Sequence, residues 1–179
     1  LKERGFKVGF NLMQIAERTQ DEVEALAEAA SKYDIDALYF ADSMGSMDPS
    51  QCKTIISWLQ KHWNGAVGIH THDNMGKALQ NTLTAIEAGA TWLDATVTGM
   101  GRGPGNARTE ELAIEIAEMR GEPANLVPLL SLIRSYFQPL KNECGWGSNP
   151  YYYLSGKYGI HPTFVQEMLS DPRFDEEDI

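Results

Sequence analysis

Cysteine is scarce in this sequence: of 179 residues only Cys52 and Cys144 carry a thiol. Two such residues make no disulfide framework and suit a reducing compartment, so the expected location is the cytoplasm. Basic residues are also few, 15 Lys and Arg against 25 Asp and Glu, for a formal net charge of −10. That balance argues against a nucleic-acid partner and against an anionic membrane surface, both of which recruit basic patches. No apolar run approaches the ~20 residues a membrane-spanning helix needs, and no signal-peptide pattern opens the chain. An initiator methionine is lacking too. The chain starts Leu-Lys-Glu-Arg and a strand-like segment follows almost at once, so a piece of a larger protein is expected.

What is present reads as one soluble α/β domain with a sizeable core. Four short apolar segments have strand character: GFKVGFN (5–11), ALYFAD (37–42), AVGIHT (66–71) and TWLDATV (91–97). Their starts lie 32, 29 and 25 residues apart, and a helical pattern follows each. Thr19-Gln-Asp-Glu22 is a capping box ahead of VEALAEAASKY. Asp48-Pro49 supplies an N-cap carboxylate and a proline at N1 for the second helix. KALQNTLTAIEA stops at Gly89, and Thr109-Glu-Glu opens a fourth helix that Gly121 ends. Alternation at this spacing implies parallel strands with right-handed crossovers. It fits an open doubly wound sheet or half of an eight-stranded barrel. Residues 1–121 are read as four βα units and residues 122–179 as a C-terminal helical region with a solvated DEEDI tail.

The stretch GIHTHDNMG (68–76) carries the chemistry. Residues i and i+2 of a strand point to one face, so His70 and His72 aim both imidazoles at one spot, as metal capture requires. The competing reading is a pair of hydrogen-bonded histidines at a strand end. Polar residues also close the other strands: Asn11 and Gln14, Asp42 and Ser43, Thr96 and Thr98. In parallel α/β folds ligands bind at the carboxyl ends of strands, so four such ends mark a site. Asp42 reads equally well as a turn or cap residue before Met44-Gly45, and Asn74 as a helix cap. Tyr151-Tyr152-Tyr153 reads first as packing.

The loop TGMGRGPGNARTEEL (98–112) follows a strand and precedes a helix, which suggests a dinucleotide fingerprint. The spacing fails, because the third glycine would fall at Pro104 or at Asn106. The glycines instead permit a tight path that returns Asn106 over the strand ends, where its amide oxygen suits a divalent cation.

The run HTHDNMGKALQNTLTAIEAGATWLDATVTGMGRGPGNARTEEL resembles the metal-dependent aldolase and acyltransferase superfamily that includes 4-hydroxy-2-oxovalerate aldolase, 3-hydroxy-3-methylglutaryl-CoA lyase and isopropylmalate synthase. The His-x-His strand, the GAT…D strand and the G-x-G-x-x-x-G-N loop occur in that family's order. ADSMG…P (41–49) and residues 5–14 resemble the two preceding barrel strands. The resemblance implies the second half of a TIM (βα)8 barrel, four parallel βα units plus C-terminal helices. It implies a divalent metal (Mn, Mg, Co or Zn) on His70 and His72 with Asn106 as a further ligand, and a 2-oxo acid substrate such as pyruvate. Asn11, Asp42 and Thr96 are then expected to line the substrate cavity, with Asp42 the one candidate catalytic group within the chain.

Two departures shape the expectation. The glycine loop lacks the cysteine that the CoA lyases carry there. Family members also begin with an Asp-x-Thr-x-Arg-Asp strand bearing a metal carboxylate and the catalytic arginine, and these 179 residues contain none. The main catalytic groups are therefore expected in a missing N-terminal half-barrel, with a homodimer mate as the other source, and the chain alone is expected to be inactive. GMGRGPGNA and the tail YYYLSGKYGIHPTF look nearest the ketoacid aldolases. The alternatives are an acyl-CoA-dependent condensing enzyme of the isopropylmalate synthase type and a non-catalytic metal- or ligand-binding half-barrel.

Overall fold

In the computed structural model, which describes residues 1–175 and 177–179, the four expected strands form one parallel sheet. They are β1 (Gly9–Leu12), β2 (Ala37–Asp42), β3 (Ala66–Thr71) and β4 (Trp92–Leu93), ordered β1-β2-β3-β4. A doubly wound sheet reverses direction at a switch point, whereas strictly sequential order is barrel winding. This is a four-stranded half of a barrel.

The strands at the sheet's edges are shorter than their sequence patterns. Ahead of Gly9 the chain is held by Asp36, whose Oδ2 accepts from the Val8 N–H at 2.6 Å while its own N–H donates to the Val8 carbonyl at 2.7 Å. Beyond Leu93 the Asp94 N–H continues the ladder, onto the Ile69 carbonyl at 3.1 Å. The Thr96 N–H turns to the Ala107 carbonyl at 3.0 Å.

The chain divides into two compact units. The first unit comprises residues 1–43, 47–71 and 80–94 and contains the whole sheet. Register gives the sheet two chemically distinct faces. Leu38, Phe40, Val67 and Ile69 alternate onto one face and are buried. They pack with α1 (Gln20–Ala30) through Val23 and Ala27, and with α2 (Pro49–Leu59) through Cys52, Ile55, Ile56 and Leu59. α3 (Ala78–Glu87) adds Ala85. Asn11, Tyr39 and His70 alternate onto the other face and stay at least partly exposed, with Ala41 and Gly68 buried among them. Both early helices start as the sequence demands. Thr19 and Glu22 form a complete capping box, as do Asp48 and Gln51, and Pro49 occupies the first turn of α2.

The second unit comprises residues 44–46, 72–79 and 95–179. It holds the loops that follow β2 and β3, α4 (Thr109–Arg120), α5 (Val127–Leu132), α6 (Gln138–Cys144), α7 (Pro150–Tyr158) and α8 (Pro162–Ser170). The helical stretch over residues 127–144 is interrupted by a π-helical turn at Ile133–Phe137. Pro139 lies just beyond that turn and brings no N–H to the carbonyl four residues back, which is where an α-helix loosens. α4 ends at Gly121 with φ 66°. In the expected solvated tail, Asp175, Glu177 and Asp178 are exposed, while Glu176 lies outside the described residues. Among the described residues no helix is long and apolar enough to cross a membrane.

Candidate functional site

In the first unit, His70 is the last residue of β3 on the half-open face. Its partner was not anticipated from sequence: Asp94, whose Oδ2 lies 3.1 Å from His70 Nδ1. Asn11 stands on the same face at the level of Tyr39 and is exposed. Asp42 does not join them. Its register neighbour is Thr71, so it shares the buried face, and it is 1% exposed with Oδ2 accepting from the Met47 N–H at 3.2 Å. Alternation turns Asp42 toward the helix layer, where it shapes the loop into α2. Its charge also adds to the burial that pushes the Cys52 thiol up to about 12.

The second unit brings His72 and Asn106 together. They face each other across an isolated antiparallel bridge, and the neighbouring Asp73 N–H donates to the Gly105 carbonyl at 2.9 Å. The Asn106 carboxamide is oriented by its nitrogen, which donates to the Met100 carbonyl at 3.0 Å and to Thr96 Oγ1 at 3.4 Å. That commits the nitrogen and reserves the oxygen for an incoming donor or cation. The approach depends on Gly101, since a Cβ there would collide with the Asn106 amide nitrogen. Thr96, past the end of β4, thus serves Asn106.

The glycine loop is held under strain. Thr98 sits at φ 55°, an unfavourable region for a β-branched residue. Its N–H donates to Glu110 Oε2 at 3.0 Å and its carbonyl accepts from Trp146 Nε1 at 3.1 Å. Asp73 is largely enclosed, and desolvation raises its carboxyl pKa against the opposing Ala78 N–H and Arg108. Asn74 caps nothing. It is fully buried, its Nδ2 donates to Ser155 Oγ at 3.1 Å, and its Oδ1 has no hydrogen-bond partner. It ties the loop to α7. Tyr152 of the tyrosine run is buried and Tyr153 exposed.

Among the described residues no group of three or more His, Cys, Asp and Glu side chains is assembled for a metal. The donors that fit a cation are two imidazoles and one amide oxygen, within separate units. Asp94 and Glu110 are the polar groups that motif reading missed. Asp94 could be found only through strand register, and Glu110 only through the loop path that returns Thr98 to it.

Comparison with known proteins bears on this arrangement. A family model described as HMGL-like matches residues 1–132. A 4-hydroxy-2-oxovalerate aldolase from Carboxydothermus hydrogenoformans is 40% identical over 119 residues, covering 66% of this chain and 35% of the relative. Homocitrate synthase AksA from Methanosarcina mazei is 32% identical over 179 residues, covering 96% of this chain and 42% of the relative. The crystal structure of the N-terminal domain of a putative aldolase from Bacteroides vulgatus superposes with a TM-score of 0.83 at 33% identity, covering 94% of this chain and 56% of that one. The chain thus spans roughly a third to two fifths of the length of these two curated relatives.

Proposed function

The chain belongs to the HMGL-like family, and from that premise we propose that it is the second half of a divalent-metal-dependent (βα)8 aldolase. The intact protein would break or form the carbon–carbon bond beside a 2-oxo acid such as pyruvate. The observation that carries this is the pairing of His72 with Asn106, whose amide nitrogen is committed so that its oxygen can serve as a ligand. His70 and His72, with Asn106, would hold Mn²⁺, Mg²⁺, Co²⁺ or Zn²⁺, a set matched to imidazole and oxygen donors. When bound, the cation supplies Lewis acidity that stabilises the enolate of the 2-oxo acid.

The chain's own residues do the positioning. Thr96 and Met100 orient Asn106, Asp94 orients His70, and Asn11 and Thr96 are offered to the substrate. The catalytic arginine and base would come from the first half of the same barrel. Exposed Phe10, with Leu26, Ala29, Ala30, Tyr33 and Ile35, lines an apolar groove of about 280 Å³ beside β1, which is where a preceding βα unit would pack. The test is a pyruvate-release assay with and without Mn²⁺, on this chain alone and together with a separately expressed first half. Metal-dependent turnover only in the combined sample supports the reading, and turnover by the 179-residue chain alone overturns the assignment of groups.

A second reading rests on the homocitrate synthase match across 96% of the chain. In it the same metal site serves condensation of an acyl-CoA with a 2-oxo acid. Thiol release from acetyl-CoA, in place of aldehyde release from a hydroxy-oxo acid, would favour it.

A further inference from the structure

Strand pairing dictates what stands beside His70. Gly68 lies opposite Trp92 and Ile69 opposite Leu93, and the Asp94 N–H continues the ladder onto Ile69. The next rung therefore places the Asp94 carboxylate against the imidazole, with Oδ2 3.1 Å from Nδ1. An ionised carboxylate only accepts hydrogen bonds, so this contact favours a proton on Nδ1, and a ring protonated there keeps its lone pair on Nε2.

The Asp94 side chain is 45% exposed. Tyr39 stands on the same face, its ring packed against the backbones of two glycines. A Cβ on Gly68 would come within 2.6 Å of that ring and one on Gly9 within 3.2 Å. Trp92 meets it edge-on, with centroids 6.2 Å apart at 89°. Burial and then the Asp94 charge push the Tyr39 hydroxyl up to about 12. The backbone ladder already fastens β3 to β4, and half-exposed charged pairs add little to stability. The consequence of the contact falls on the ring.

We propose that Asp94 is a positioning residue that fixes the His70 tautomer so that Nε2 is the nitrogen offered to the divalent metal. This rests on the metal reading above. In metal-free intact protein, nitrogen-15 shifts of the imidazoles report the tautomer directly. Wild type should show a protonated His70 Nδ1, Asp94→Ala should lose that preference, and Asp94→Glu should restore it. Titration with Mn²⁺ alone should show affinity weakened by about 10–100-fold in Asp94→Ala. Asp94→Glu should recover toward wild type. His70→Ala separates the two readings. Unchanged Mn²⁺ affinity there overturns the metal assignment, whereas loss there with wild-type affinity in Asp94→Ala overturns only the role of Asp94. Should Asp94→Ala fail to fold, the wild-type spectrum still decides, because an Nε2-protonated His70 overturns the inference.

Discussion

The two units solve folding in different ways. In the first, α1 and α2 each begin with a complete capping box and each lays a buried stripe against the sheet. In the second, the 18 residues from Val127 to Cys144 bury none of their side chains and start at Leu126 without a side-chain cap. Val127, Leu130, Leu132 and Tyr136 stay exposed along that stretch. Order in the second unit comes instead from its loops: the His72–Asn106 bridge, Thr98 clamped by Glu110 and Trp146, and Asn74 tied to α7. Packing is regular in the first unit, whereas in the second the backbone is irregular and individually fastened around His72 and Asn106.

The largest expected effect tests the chemical side of that contrast. In the intact enzyme, His72→Ala should lower metal-dependent turnover by at least about 10²–10³-fold, the scale of losing one preorganised electrostatic contact. His62→Ala should leave it nearly unchanged, since His62 is exposed in the first unit with Glu24 3.4 Å from its Nε2. Steady-state kinetics at saturating Mn²⁺ measure both. Equal losses would remove the reason for singling out the bridge-forming histidine.

The next effect tests the packing side. Phe40 is fully buried at the centre of the sheet, and Phe40→Ala should cost about 3–5 kcal/mol in urea denaturation. Leu130→Ala, at a position 52% exposed on α5, should change stability by no more than about 0.5 kcal/mol. A comparable loss from Leu130→Ala would show that the α5 face is covered in solution, and the contrast between units would fail.

Much of this was legible from residue patterns because the signals are local. The Thr19 capping box, the Asp48 cap with Pro49, the strand cores 37–42 and 66–71 and the helix start at Thr109 follow from neighbours a few residues apart. The short edge strands were not legible, because Asp36 and Ala107 end the pairing from 28 and 11 residues away. The site divides in the same manner. His70, His72 and Asn106 announce themselves by type and spacing, and Asp94 needs register, which a single sequence does not contain. Asp42 likewise needs alternation, which a sequence read alone leaves open between a turn residue and a site residue.

A smaller effect probes how far the first unit depends on its caps. Thr19 Oγ1 accepts from the Glu22 N–H, and the Thr19 N–H donates to Glu22 Oε2 at 2.8 Å. Thr19→Ala removes the acceptor for one orphan donor and should cost about 1 kcal/mol. Thermal or urea unfolding would register it, and no change would mean that burial of Val23 and Ala27 alone sets the helix start.

The smallest effect concerns how β1 is anchored, and its sign can be worked out. The Lys2 ammonium at 2.9 Å and then the Val8 N–H hold the Asp36 carboxyl below the usual carboxylate range. A carboxyl depressed in the folded state stabilises it when ionised. That contribution is complete above the unfolded pKa of about 4 and is lost as pH falls through the lower folded value. Asp36→Asn keeps an oxygen for the Val8 N–H and gives up the charge facing Lys2. The stability gap between wild type and Asp36→Asn should therefore be widest near neutral pH and close as pH drops below about 4. Added salt should narrow it further, because the pair lies near the surface. A gap that stays constant across that range would assign the anchoring of β1 to neutral hydrogen bonds alone, and the Lys2 contact would carry no share of it.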